Sequence, residues 1–76
     1  MNLASEIKMI RQRAFMTQKV FAEMLDVSFS TVNRWENGKS LPNISTMKQI
    51  KIFCENNNIS FDNLEKAWLY GSREEK

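Results

Sequence analysis

SFSTVNRWENG, residues 28 to 38, is the stretch on which the reading of this chain turns. Ser28 can cap a helix, and Gly38 supplies the left-handed residue that stops one. Between them, Thr31, Val32 and Trp35 share a face. Phe29, Ser30, Asn33, Arg34 and Asn37 fall opposite, at i, i+1, i+4, i+5 and i+8. The first face suits a core. The second carries more hydrogen-bonding capacity than a short wet helix needs, and it holds no Asp, Glu or Lys. Faces that serve only solubility mix signs.

The same grammar stands upstream. Thr17 sits where a cap would, with Met16 and Phe21 placed as a hydrophobic staple and Phe21, Ala22 and Leu25 as an apolar face. Val27 and Val32 are the equivalent staple around Ser28. Leu3, Ile7, Ile10 and Ala14, spaced 4-3-4, predict a first helix. Pro42 bars helix continuation, so Lys39 to Pro42 is a loop. A fourth helix starts near Asn43 or Ser45 with Met47, Ile50 and either Phe53 or Cys54 inward, and "ENNN" ends it. Ser60 is the expected cap of a fifth helix bearing Phe61, Leu64, Ala67 and Trp68. The prediction is an all-α, compact five-helix bundle: one domain over residues 1–70, then a flexible tail over 71–76. Only "DV" and the Ser28 cap separate the second and third helices, which forces the sharp corner of a helix-turn-helix unit at about residues 17–38.

Composition narrows the function. Seventy-six residues make one small domain, and 42% hydrophobic with 26% charged residues is a globular balance. Cys54 is the sole cysteine and there is no histidine, so neither an internal disulfide nor the commonest general base and metal ligand is available. No phosphate-binding glycine loop and no acid–base pair stand out. These features predict no catalytic residue, no metal and no cofactor. "MNLASEIKMI" lacks the apolar centre of a secretory signal, and no apolar run approaches a membrane span, so a cytoplasmic protein is expected.

Net charge is only +2, but it is unevenly placed. Residues 8 to 51 carry eight bases and three acids, while residues 52 to 76 carry three bases and five acids. A basic N-terminal part could face phosphate, although ordinary solvated helix faces give the same pattern. The polar face of the third helix suits base edges in a major groove. Arg34 can donate twice to guanine, Asn33 can pair with adenine, Ser30 can donate or accept, and Phe29 can pack on a thymine methyl. Phe29 could instead fold onto Met24 at the core rim. Thr17 and Gln18 open the second helix, where free N–H groups can hold phosphate. Ser28, Asn37, Lys39 and Ser40 flank the third helix as further phosphate contacts.

In one register, Arg11, Thr17-Gln18, Ala22, Val27-Ser28, Val32, Trp35-Glu36-x-Gly38 and Pro42 resemble the Xre/lambda-repressor-like helix-turn-helix domain, from about Ile7 to Ile50. The resemblance implies that the third helix enters the DNA major groove. It implies base contacts from Phe29, Ser30 and Arg34 with Asn33 close by, and phosphate contacts from Gln18, Ser28 and Lys39. It also implies a structural salt bridge between Arg11 and Glu36. Phe15 stands where many relatives carry glycine, and "ENNNIS" is longer than the usual connection.

The expected function is a sequence-specific regulator of transcription, a repressor binding a two-fold double-stranded DNA operator as a homodimer. Trp68, Leu69 and Tyr70 are a candidate dimer surface, though Trp68 could equally close the core. The alternative is an antitoxin-like or accessory module whose main partner is a protein, since "RWENGKSLP" also resembles a segment of some antitoxin DNA-binding domains. Against it, the sequence offers no long disordered tract to wrap a toxin.

Overall fold

The computed structural model describes residues 2–71. Five α-helices follow one another: α1 (Leu3–Arg13), α2 (Gln18–Leu25), α3 (Phe29–Glu36), α4 (Ile44–Asn56) and α5 (Asp62–Lys66). The last runs into a π-helical turn, Ala67–Gly71. Of the tail expected over residues 71–76, Gly71 belongs to this turn, and residues 72–76 lie outside the described residues.

Local chemistry accounts for where the first four helices begin. Asn2, Thr17, Ser28 and Asn43 each turn a side-chain oxygen onto the backbone N–H three residues on, at 3.1, 3.2, 3.1 and 2.8 Å. Each bond satisfies one of the donors a helix start leaves orphaned. Asn43, rather than Ser45, therefore opens α4. Ser60 does not cap α5. Its hydroxyl accepts from Asp62 N at 3.3 Å, but Phe61 occupies the cap position and offers no side-chain oxygen.

The same four helices end alike, with a left-handed residue just beyond each: Phe15 (φ 58°), Asp26 (φ 58°), Gly38 (φ 73°) and Asn58 (φ 57°). Paired backbone bonds close every end, such as Phe15 N to Gln12 O with Met16 N to Arg11 O, and Asp26 N to Glu23 O with Val27 N to Ala22 O. This is the Schellman arrangement, in which an apolar residue after the left-handed one folds back onto the helix. Met16, Val27 and Ile59 do so, packing against the core. Asp26 makes the corner between α2 and α3 possible within three residues.

Phe15 takes the conformation that glycine adopts freely, so the exit from α1 is built despite its bulk. The ring is 95% exposed and gains almost no burial to offset the strained backbone. Phe15→Gly is accordingly expected to stabilise the fold by about 1 kcal/mol, read as a higher urea midpoint with unchanged m-value. A loss of stability would show that the ring packs on something in solution.

The core is contiguous: Ile7 and Ile10 from α1, Phe21, Ala22 and Leu25 from α2, Val32 and Trp35 from α3, Met47, Ile50, Phe53 and Cys54 from α4, and Leu64 from α5. Leu3 and Ala14 complete the α1 stripe half-buried. Phe53 and Cys54 both face inward, not one of them. Phe21 and Phe53 meet edge to face, ring centres 5.2 Å apart at 76°. Burial, helped by the Glu55 charge, pushes the Cys54 thiol up to about 11, so it stays protonated and poorly nucleophilic at neutral pH. Trp68 closes the α4–α5 side half-buried, its indole N–H donating to Pro42 O at 2.7 Å.

Candidate nucleic-acid interface

Val32 and Trp35 plug α3 into the core and so fix which way its other face looks. Phe29, Ser30, Arg34 and Asn37 stand exposed along that face, and Asn33 is half-buried at its edge. Phe29 is 52% exposed, and Met24 also lies outside the core. From Phe29 to Asn37 the face runs about 12 Å at helical rise, close to the width of a B-DNA major groove. Arg34 makes no side-chain hydrogen bond or ion pair among the described residues. Thr31, expected inward, is half-buried, and its hydroxyl pairs with that of Ser28 at 2.8 Å.

Behind this face lies a bidentate ion pair. Arg11 donates through Nε to Glu36 Oε2 at 2.7 Å and through Nη2 to Glu36 Oε1 at 2.9 Å. Its Nη1 donates to Met16 O at 2.9 Å, so one guanidinium ties α1, the α1–α2 corner and α3 together. The side chains are only 12% and 4% exposed. The hydrogen bonds it donates to Glu36 raise the Arg11 pKa further, outweighing burial, so the charge is permanent.

Sequence reasoning missed what extends from this pair. Gln18 Nε2 donates to Glu36 Oε1 at 3.0 Å, Asn33 Nδ2 donates to Gln18 Oε1 at 3.2 Å, and Asn37 Nδ2 donates to Asn33 Oδ1 at 3.1 Å and to Asn33 O at 2.9 Å. Three carboxamides thus form a line from the ion pair to the end of α3. The line places the start of α2 beside the last turn of α3, a juxtaposition that no helical period could reveal. Asn33, expected at a base edge, donates from its amide nitrogen to Gln18 and accepts at its amide oxygen from Asn37. Asn37, expected on phosphate, donates from its side-chain nitrogen to Asn33.

The remaining phosphate candidates divide between the ends of the two helices. Thr17 is exposed at the α2 start, and its hydroxyl accepts from Val20 N and keeps its own proton to donate. Ser28 is exposed at the α3 start, and Lys39 is exposed just beyond the α3 end with Ser40 half-buried beside it. Hydroxyls, helix N-termini and a lysine around one arginine-bearing face form a surface suited to an anionic duplex. Among the described residues no group of His, Cys, Asp and Glu could hold a metal, and no helix is long and apolar enough to cross a membrane.

Comparison with known proteins agrees with this geometry. A helix-turn-helix family model matches residues 7–52. The chain is similar to the HTH-type transcriptional activator BcrR of Enterococcus faecalis, 34% identical over 53 residues, covering 70% of this chain and 26% of that one. It is similar to the antitoxin HigA-2 of Vibrio cholerae, 38% identical over 47 residues, covering 62% of this chain and 45% of that one. It also matches the type II methyltransferase M.SsoII of Shigella sonnei, 40% identical over 52 residues, covering 64% of this chain and 14% of that one. The chain spans less than half the length of each of these relatives. No solved structure matches it with comparable significance. With the family match running from α1 into α4 and the α2–α3 corner at its centre, this chain belongs to the helix-turn-helix family, in its Xre/lambda-repressor-like, Cro/C1-type branch.

Proposed function

We propose that this chain is a cytoplasmic regulator of transcription that binds a two-fold DNA operator as a homodimer, with α3 in the major groove, and represses. One observation carries the reading: the exposed face of α3 presents Phe29, Ser30 and an unpaired Arg34, with no acidic side chain to repel a duplex. Arg34 donates to a guanine, and Phe29 and Ser30 contact the neighbouring pairs nearer the α3 start. Thr17, Gln18, Ser28, Lys39 and Ser40 grip the backbone on either side. The binding surface needs no cofactor and carries out no catalysis.

So few base contacts make a weak reader alone. A dimer places two recognition helices about one turn, roughly 34 Å, apart and adds their affinities. The second copy docks on the α4–α5 side, where Leu69 and Tyr70 stand exposed beside a shallow apolar groove of about 210 Å³. Ile44, Met47, Phe61 and Trp68 line the groove, with Lys48, Lys51 and Glu65 at its rim. A rim carrying both signs can pair with itself across a two-fold axis. Trp68 contributes its ring there, while its N–H stays bound to Pro42.

The test is selection of binders from a random duplex pool, followed by titration of the enriched duplex at several salt concentrations. Enrichment of a two-fold sequence is expected. Lys39→Ala should weaken binding to all duplexes alike and lower the salt slope by about one. A second reading is favoured by the similarity to an antitoxin: a module whose main partner is a protein and whose DNA binding is autoregulatory. Failure to enrich any sequence would support that reading instead.

A further inference from the structure

We propose that Asn33 is a positioning residue, not a reader of bases, and that it acts by holding the Gln18 carboxamide in one orientation for the DNA backbone. The inference rests on α3 being the DNA-facing helix and deepens that reading. Its starting point is the line of carboxamides behind the exposed face.

A carboxylate only accepts hydrogen bonds, so Glu36 dictates the sense of everything attached to it. Facing Glu36 Oε1, Gln18 must present its nitrogen, at 3.0 Å. Its oxygen is then turned to Asn33, which must answer with nitrogen, at 3.2 Å. The Asn33 oxygen in turn accepts a hydrogen bond from the Asn37 side-chain nitrogen, at 3.1 Å. Each amide could flip by half a turn if it stood alone. In this line none can, because a flip would set oxygen against oxygen. The Arg11 guanidinium, gripping both carboxylate oxygens, locks the first link.

Two consequences follow for the surface. Gln18 and Asn33 each keep one N–H uncommitted, so the start of α2 offers donors, as a phosphate requires. Asn37 spends its donors inward on Asn33 and is left with an acceptor oxygen, which suits an amino group or a cation better than a phosphate. Pairing Asn33 with adenine would need both the amide oxygen and an N–H, and would break the line at its centre.

The experiment has one arm without DNA and one with it. In the free protein, the side-chain carboxamide protons of Gln18 should give separated, exchange-protected NMR signals that collapse toward exposed-glutamine behaviour in Asn33→Ala. On the enriched duplex and its single-base variants, Asn33→Ala should lose about five- to tenfold in affinity, equally on every sequence, as expected for one charge-assisted contact set loose. Gln18→Ala combined with Asn33→Ala should bind no more than about twofold weaker than Gln18→Ala alone, because the residues act in series. Relaxed preference at one base pair in Asn33→Ala, or additive losses in the double variant, would overturn the proposal. So would a lowered melting temperature with unchanged affinity, which is what a merely structural role gives. Unprotected Gln18 protons in the wild-type chain would overturn it without reference to DNA. A wild-type chain that enriches no duplex overturns the DNA reading itself, and the protein-only arm keeps the two failures apart.

Discussion

Glu36→Ala is expected to cost about 3–5 kcal/mol of folding stability, because it leaves a guanidinium buried without its counter-charge. Arg11 is 12% exposed at its side chain, so water cannot take over the role of the carboxylate. The loss spreads further than one bond. Two Arg11 donors and one Gln18 donor lose their acceptor together, and the carboxamide line loses the group that orients it. A domain of this size holds roughly 4–11 kcal/mol in all, so the variant should lose a large share of its stability. Urea denaturation followed by circular dichroism measures this directly. A cost under about 0.5 kcal/mol, typical of exposed pairs, would show that the bridge is solvated in solution.

That bridge also marks the limit of what the residues alone disclose. Thr17, Ser28 and Asn43 are legible as caps because a cap acts on a backbone N–H three residues away. The core stripes of α1 to α4 are legible because burial follows the helical period. Arg11 and Glu36 lie 25 residues apart, and only the resemblance to a family joined them. Gln18 and Asn33 lie 15 residues apart, and nothing joined them until the corner at Asp26 had brought α2 across α3. An amide's orientation is decided by its neighbours' donors and acceptors, which a linear pattern does not contain.

The helix ends teach the same lesson from the backbone side. Gly38 and Asn58 are residues that tolerate a left-handed conformation, and both were readable as stops. Phe15 and Asp26 adopt it because Met16 and Val27 must fold back onto the core. At Phe15 packing overrides local preference, whereas an aspartate, like Asn58, tolerates the left-handed region. On α5, Ser60 looked like the cap, but the helix begins two residues later. The indole bond from Trp68 to Pro42 bridges 26 residues and ties the turn after α5 to the loop before α4.

The largest effect on recognition is expected at Arg34. Its side chain stands exposed on the α3 face with no protein acceptor among the described residues, so its donors are available to a ligand. A guanidinium offers two parallel N–H groups to guanine O6 and N7, a pattern no other base presents. Arg34→Ala should therefore weaken binding to the preferred duplex by about 1–3 kcal/mol and erase the preference at one base pair per half-site. Folding stability should hardly change, since an exposed arginine without partners contributes little to it. This separates Arg34 from Glu36, whose loss destabilises the scaffold, and from Lys39, whose loss weakens all sequences equally.

The direct test of α3 as the reading helix is the affinity of wild-type and Arg34→Ala protein for the enriched duplex and each of its single-base variants. Wild-type protein should lose about 1–3 kcal/mol at the contacted guanine, and Arg34→Ala should bind that variant and the parent equally well. An Arg34→Ala protein that keeps the full wild-type preference at every position would contradict the account.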